Sequence, residues 1–151
     1  MTTSNEKNTA TLIHLSALAQ YIVPFGNYIF PTMIWSAKKN ESEFVDYNGK
    51  QVLNFQLSIL IYTIVLCAIA IPILLYAFFK NLPLNANFES EDFIYERILF
   101  GENSSWAIIG IVGVLIIIFI KIIEFVLIIH AAVKASNGDR YNYPLSISFF
   151  K

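Results

Sequence analysis

Two long apolar runs, Val52–Phe79 and Trp106–Val133, dominate the alternation of polar and apolar positions along the chain. The first has no charged residue, and the second has only Lys121 and Glu124. Each run is 28 residues long, which exceeds the roughly 20 helical residues needed to cross a bilayer core. At about 1.5 Å per residue, such a run makes a helix about 42 Å long that reaches the headgroups on at least one side. The pattern therefore predicts an all-α, polytopic membrane protein with transmembrane helices over 50–79 and 106–135. Pro72 predicts a kink in the first of them.

A third apolar stretch, 11–37, is interrupted by Pro24, Gly26, Asn27 and Pro31. Proline removes a backbone donor and clashes with the preceding turn, so one straight helix is disfavoured. Two shorter helices, Thr11–Val23 and Tyr28–Ala37, joined at Pro-Phe-Gly-Asn, fit better. Such a pair either returns to its own side as a re-entrant hairpin or crosses as a third, kinked span.

The remaining segments are polar. Residues 1–10 read as a tail and 38–49 as a solvated hinge. Asn48-Gly49 gives a turn signal, and Asp46 or Asn48 is a candidate cap for a helix starting near Lys50. Gln51, Asn54 and Ser58 share one face of that helix and predict a polar stripe against another helix. The connector 80–105 sets Glu89, Glu91, Asp92, Glu96 and Glu102 against Lys80 and Arg97, with a short interfacial helix expected around Phe93–Leu99. Asn137-Gly138 reads as a helix stop, and the alternating PLSISFF tail as lying on the membrane surface or a partner. Lys38, Lys39 and Lys50 in the hinge and Lys134, Arg140 and Lys151 in the tail place both on the cytoplasmic side, with the acidic connector outside.

Composition agrees with this class. The chain has 151 residues, 56% hydrophobic, with a net charge of -1, and its mean hydropathy is +0.59. That leaves no room for a separate enzyme domain and no basic footprint for nucleic acid. The lone Cys67 has no internal disulfide partner. No nucleophile motif, phosphate loop or ligand spacing points to an enzyme, a cofactor or a metal centre. His14 and His130 each stand alone and are expected to bond between helices.

The letters HLSALAQYIVPFGNYIFPTMIW, VDYNGKQVLNFQLS and KASNGDRYNYPLSISF occur in the order and approximate spacing of a known bacterial family. From Asn8 to Lys151 the chain resembles domain-of-unknown-function family 4870, which is regarded as distantly related to the twenty-kilodalton subunit of the chloroplast inner-envelope protein-import translocon. The matching positions are His14, Leu15, Pro24, Gly26, Asn27 and Pro31; Asp46, Gly49, Lys50, Asn54, Phe55 and Gln56; and Ala135, Gly138, Tyr143 and Pro144. The resemblance implies a small multi-helix protein of the bacterial inner membrane. It supplies no catalytic residue, and an ionisable pair in the last span departs from its pattern.

Lys121 and Glu124, at i and i+3, share a helical face. They either neutralise each other while snorkelling, dock a partner, or handle protons or ions. Asn54 and Gln56 favour interhelical hydrogen bonds, and the helix break at Pro24, Gly26 and Asn27 offers backbone groups that a polar solute would use. These residues suit a non-enzymatic accessory or scaffold subunit that packs in the bilayer against another membrane protein or itself. The alternative is a protein-translocation or solute-permeation component.

Overall fold

The computed structural model describes residues 2–81 and 104–151, and it is all helical over them, with no strand among the described residues. The expected acidic connector and its short interfacial helix lie outside the described residues. Among the described residues four helices follow in order: α1 (Ser4–Ser16), α2 (Gly26–Lys38), α3 (Glu43–Asn81) and α4 (Ser104–Asn137), with a 3-10 helix, Ala17–Tyr21, extending α1. The chain divides into two compact units, one formed by Met1–Ile61 with Lys121–Lys151, the other by Tyr62–Ile120.

α1 starts in the segment read as a polar tail. Thr3-Ser-Asn-Glu6 closes a capping box: Glu6 N–H donates to Thr3 Oγ1 at 3.3 Å, and Thr3 N–H donates to Glu6 Oε2 at 2.6 Å. The signature, a Thr three residues before a Glu, pairs two orphan donors of the helix start, which is why polar letters here make a helix. The α-helix gives way to the 3-10 helix at Ala17 instead of running to Val23. The break then follows: Val23 N–H bonds Ala19 O, and Gly26 N–H bonds Val23 O across Pro24. Phe25 takes a left-handed conformation at φ 61, and its carbonyl accepts from Tyr28 and Ile29 to open α2. α2 packs back on the 3-10 helix and on α1.

α3 begins at Glu43, well before the predicted Lys50, and Ser42 caps it by accepting from Phe44 N–H at 3.2 Å. The predicted turn at Asn48-Gly49 is helix. Gly49 is there because Trp35 of α2 packs against bare backbone: a Cβ at Gly49 would stand 2.1 Å from Trp35 Cδ1. α4 ends at Asn137, where the stop was expected. Gly138, at φ 90, donates to Ala135 O and Asp139 N–H donates to Lys134 O, the paired bonds of a Schellman end.

The start of α1, the end of α2 and the start of α3 border one cavity of about 170 Å³ lined by Thr3, Glu6, Lys38 and Ser42. Lys7 Nζ reaches the C-terminal carbonyl of Asn137 on α4 at 3.3 Å. The first unit thus brings Glu6, Lys7 and Lys38 together at one end. Its interior holds Ile13, Ala17, Val52, Phe55 and Ile128. In the second unit Leu74 of α3 packs over Gly110 of α4, and Pro72 is accommodated within α3.

Within Glu43–Tyr76 and Ile108–Asn137 the most apolar 18-residue windows have mean hydropathies of 2.7 and 3.0, yet only 11% and 17% of those windows is buried. A helix in the core of a soluble protein would be covered, whereas these leave Ile64, Val65, Ile69, Leu115, Phe119 and Ile122 exposed. Side chains that apolar and that uncovered require lipid as their solvent.

Candidate functional site

The polar side chains singled out in the sequence converge in the first unit, where each finds a neighbour. Asn48, on α3, fixes its amide by donating from Nδ2 to Phe44 O at 2.8 Å, so Oδ1 is its free acceptor. His14 Nε2 lies 2.9 Å from that oxygen and must carry the proton. Nδ1 is then an acceptor, and Tyr143 of the tail donates its hydroxyl to it at 2.8 Å. The ring of Tyr143 stacks on Phe55 at 4.1 Å and 10°, and Tyr141 continues the aromatic cluster edge-on to both Tyr143 and His130. Burial pushes His14, on α1 and outside the two candidate spans, down to about 4, against the opposing effect of its hydrogen bond to Asn48. Burial also raises the Tyr143 hydroxyl well above its ordinary value. Both shifts favour the neutral pair.

At the helix break, Asn27 Nδ2 donates to Gln56 Oε1 at 2.6 Å, and Tyr28 hydroxyl donates to Gln56 O at 3.3 Å. Gln56 is fully buried, and its Nε2 has no partner among the described residues. Gly26 sits where a Cβ would lie 2.8 Å from the Ala19 backbone, and Pro31 is buried within α2. Pro24 is exposed at the turn. The break is a tightly packed corner in which the N–H groups of Ile22, Val23, Gly26, Tyr28 and Ile29 bond to nearby carbonyls.

The ionisable pair in α4 has a third member. Lys121 Nζ lies 2.8 Å from Glu124 Oε2, and Gln20 of the 3-10 helix closes a ring by donating to Glu124 Oε1 at 2.9 Å and accepting from Lys121 at 3.2 Å. Glu124 is wholly buried, whereas the Lys121 side chain is 39% exposed. Lys121 and Glu124 therefore pair with each other, and Gln20 ties the pair to the 3-10 helix. Gln20 was not singled out in the sequence, although an amide within LSALAQYIV is the kind of isolated polar residue that marks an interhelical contact.

The stripe at Asn54 and Ser58 faces the C-terminal tail, not another helix. Asn54 Oδ1 accepts from Phe149 N–H at 3.0 Å and Phe150 N–H at 2.8 Å, while its Nδ2 donates to Phe150 O at 3.0 Å. Ser58 Oγ accepts from Ile147 N–H at 2.8 Å and donates to Asn54 O. The tail's extended backbone lacks a strand to pair with, so these side chains serve as its ladder. Near the charged end, Trp35 Nε1 donates to Asp46 Oδ1 at 2.9 Å, and Lys50 pairs with the same carboxylate at 2.6 Å.

Apart from Gln56 Nε2, these clusters largely satisfy their own polar groups. His14 is bonded on both ring nitrogens, the carboxylate of Glu124 is paired on both oxygens, and no three His, Cys, Asp or Glu side chains among the described residues converge as metal ligands. The groups hold helices together in a medium that offers no competing hydrogen bonds.

Long, uncovered apolar helices joined by buried amide and ion-pair contacts define an all-helical membrane protein. The chain belongs to the MamF/MmsF family, the magnetosome magnetite crystal formation protein family, whose model matches residues 5–150. No curated protein and no solved structure matches it. The family match overturns the resemblance to domain-of-unknown-function family 4870 and its translocon kinship. The residues that suggested that kinship, among them His14, Gly26, Asn27, Gly49, Asn54, Gln56 and Tyr143, are those that pack the first unit. They report a way of packing helices, which does not single out an activity.

Proposed function

We propose that this chain is a non-enzymatic accessory protein of the magnetosome membrane that governs how magnetite crystals grow. Membership of the magnetite crystal formation family over nearly the whole chain carries this reading. The charge pattern supplies the means. With the Lys- and Arg-bearing hinge and tail on the cytoplasmic side, Glu89, Glu91, Asp92, Glu96 and Glu102 of the connector face the opposite compartment. Carboxylate oxygens are hard ligands suited to hard cations, and the iron of an oxide surface is of that kind. The connector then acts by binding at the mineral surface, with the helices as its anchor.

In this topology α3 and α4 are the crossings, and α1 with α2 forms a hairpin that enters and leaves on the hinge side. Support comes from Lys7 at the end of α4 and from Thr3, Lys38 and Ser42 around one cavity, which bring both ends of the hairpin to the charged end. Gln20, near the hairpin tip, meets Lys121 sixteen residues up α4 from Asn137, or about 24 Å of helix rise.

The function is tested by co-precipitating ferrous and ferric iron around nanodiscs that carry the parent chain, a variant with all five connector acids changed to amides, or no protein. The parent is expected to shift the crystal size distribution and the variant to behave as empty discs. Equal distributions for parent and variant would discard the acidic connector as the acting part. Single-cysteine labelling at Asn5 and Asp139, in a Cys67→Ser background, reads the topology: labelling from the same side is expected, and opposite sides would make residues 11–37 a third span.

A further inference from the structure

We infer that the C-terminal segment Pro144–Phe150 is a lipid-embedded strap, lying along α3 inside its membrane-crossing stretch with its outer side chains against the acyl chains of the hinge-side leaflet. The inference rests on the topology proposed above. Lys50 is the last charged residue of α3 before the apolar run, and Asn54 and Ser58 lie four and eight residues beyond it, about 6 and 12 Å deeper. Non-helical backbone is tolerated at such depth only where protein groups replace the water that is missing. Asn54 and Ser58 do this: between them they take the N–H groups of Ile147, Phe149 and Phe150 and supply a donor to the Phe150 carbonyl. On an aqueous surface these backbone groups would be solvated, and two buried polar side chains at the mouth of an apolar helix would have no such use.

The composition of the strap fits the same medium. No charge occurs between Arg140 and Lys151, and Ile147 and Phe149 are exposed. Phe150 meets the edge of Trp35, whose ring also carries Lys39 at 4.9 Å, an aromatic and a cation placed as at a headgroup boundary. The apolar outer surface continues on α3 through Leu60 and Ile61 and on α4 through Ile129 and Val133. Acyl chains are therefore the occupant that matches the strap's neighbours as well as the strap itself.

The full chain, with Cys67→Ser, is reconstituted in phosphatidylcholine–phosphatidylglycerol nanodiscs with a nitroxide at Ile147→Cys, Phe149→Cys or, as the aqueous reference, Asp139→Cys. Labels at 147 and 149 are expected to relax strongly with oxygen and weakly with a water-soluble nickel complex, and the label at 139 to do the reverse. Adding Asn54→Leu, or the milder Ser58→Ala, is expected to raise nickel accessibility at 147 and 149 several-fold while circular dichroism keeps its helical amplitude. Nickel accessibility at 147 and 149 equal to that at 139 in the parent overturns the strap. Spin–spin broadening at 147 and 149 also overturns it, because a second copy would then cover the segment. Opposite-side labelling of Asn5 and Asp139 with lipid-shielded 147 and 149 rejects the hairpin but keeps the strap, and mineral growth enters none of these readouts.

Discussion

The indole of Trp35 occupies the space that a side chain at Gly49 would need, with Cδ1 and Cγ at 2.1 and 2.5 Å from a Cβ placed there. The ring is held by its hydrogen bond to Asp46, by the edge of Phe150 and by Lys39. Alanine is favoured over glycine inside a helix by about 1 kcal/mol, so propensity alone makes Gly49→Ala stabilising. Overpacking against a ring held on three sides costs about 1–3 kcal/mol, and displacing it loses the Asp46 bond, about 1 kcal/mol more. The clash should win. Gly49→Ala is expected to lower the melting temperature in detergent and, in a Trp106→Phe background, to shift tryptophan emission; a raised melting temperature would contradict the packing.

His14 makes stability depend on pH. Its folded value, about 4, lies below the ordinary 6.5, so between these values the unfolded chain binds a proton that the folded chain refuses. The contribution of neutral His14 is complete above about 6.5 and falls as pH drops toward 4, at roughly 1.4 kcal/mol per unit. Protonation at Nδ1 would also set an N–H against the Tyr143 hydroxyl. His14→Gln should flatten the fall in melting temperature between these pH values, and an unchanged slope would remove His14 as its cause.

Asn27 and Gln56 predict an asymmetry. Gln56 Nε2 is buried without a partner among the described residues, so Gln56→Met deletes an unsatisfied donor, a gain of about 1–3 kcal/mol, against a similar cost of about 1–3 kcal/mol for leaving the buried Asn27 Nδ2 without its acceptor. Asn27→Leu deletes the same bond but leaves both ends of the Gln56 amide unpaired. Thermal melts should place Gln56→Met near the parent and Asn27→Leu below it; the reverse order would show that Gln56, not Asn27, is the better satisfied partner.

Much of this was legible in the letters, and what was not has a physical pattern. The two apolar runs announce α3 and α4 because lipid exposure requires uninterrupted apolar side chains, and Pro24 with Gly26 announces the corner because no straight helix tolerates them. Helix starts were misplaced wherever a distant contact outweighed a local signal. Asn48-Gly49 reads as a turn until Trp35 is brought onto it, and residues 4–10 read as a tail because the Thr3–Glu6 capping box was overlooked. The polar stripe at Asn54 and Ser58 was visible, but its partner was not, since an extended tail leaves no periodic mark on the helix that receives it. Gln20 was silent for a similar reason: its role exists only once Lys121 and Glu124, a hundred residues away, are beside it.

That ring of three also separates its two charges. Glu124 is wholly buried, whereas the Lys121 side chain is 39% exposed and can swing outward. Removing the lysine with Lys121→Met leaves a carboxylate enclosed with Gln20 alone, a loss on the order of 3 kcal/mol unless the group takes up a proton. Removing the carboxylate with Glu124→Met frees an ammonium that reaches a polar boundary, and the loss should be nearer about 1 kcal/mol. The double variant buries no charge at all and should lie closer to the parent than Lys121→Met does. Melting temperatures in one detergent at neutral pH would read the order: parent, then Glu124→Met and the double variant, then Lys121→Met lowest. If Glu124→Met proved the least stable, the ammonium would be the trapped charge, and the hairpin would be held to α4 by Lys121 instead of by the buried carboxylate.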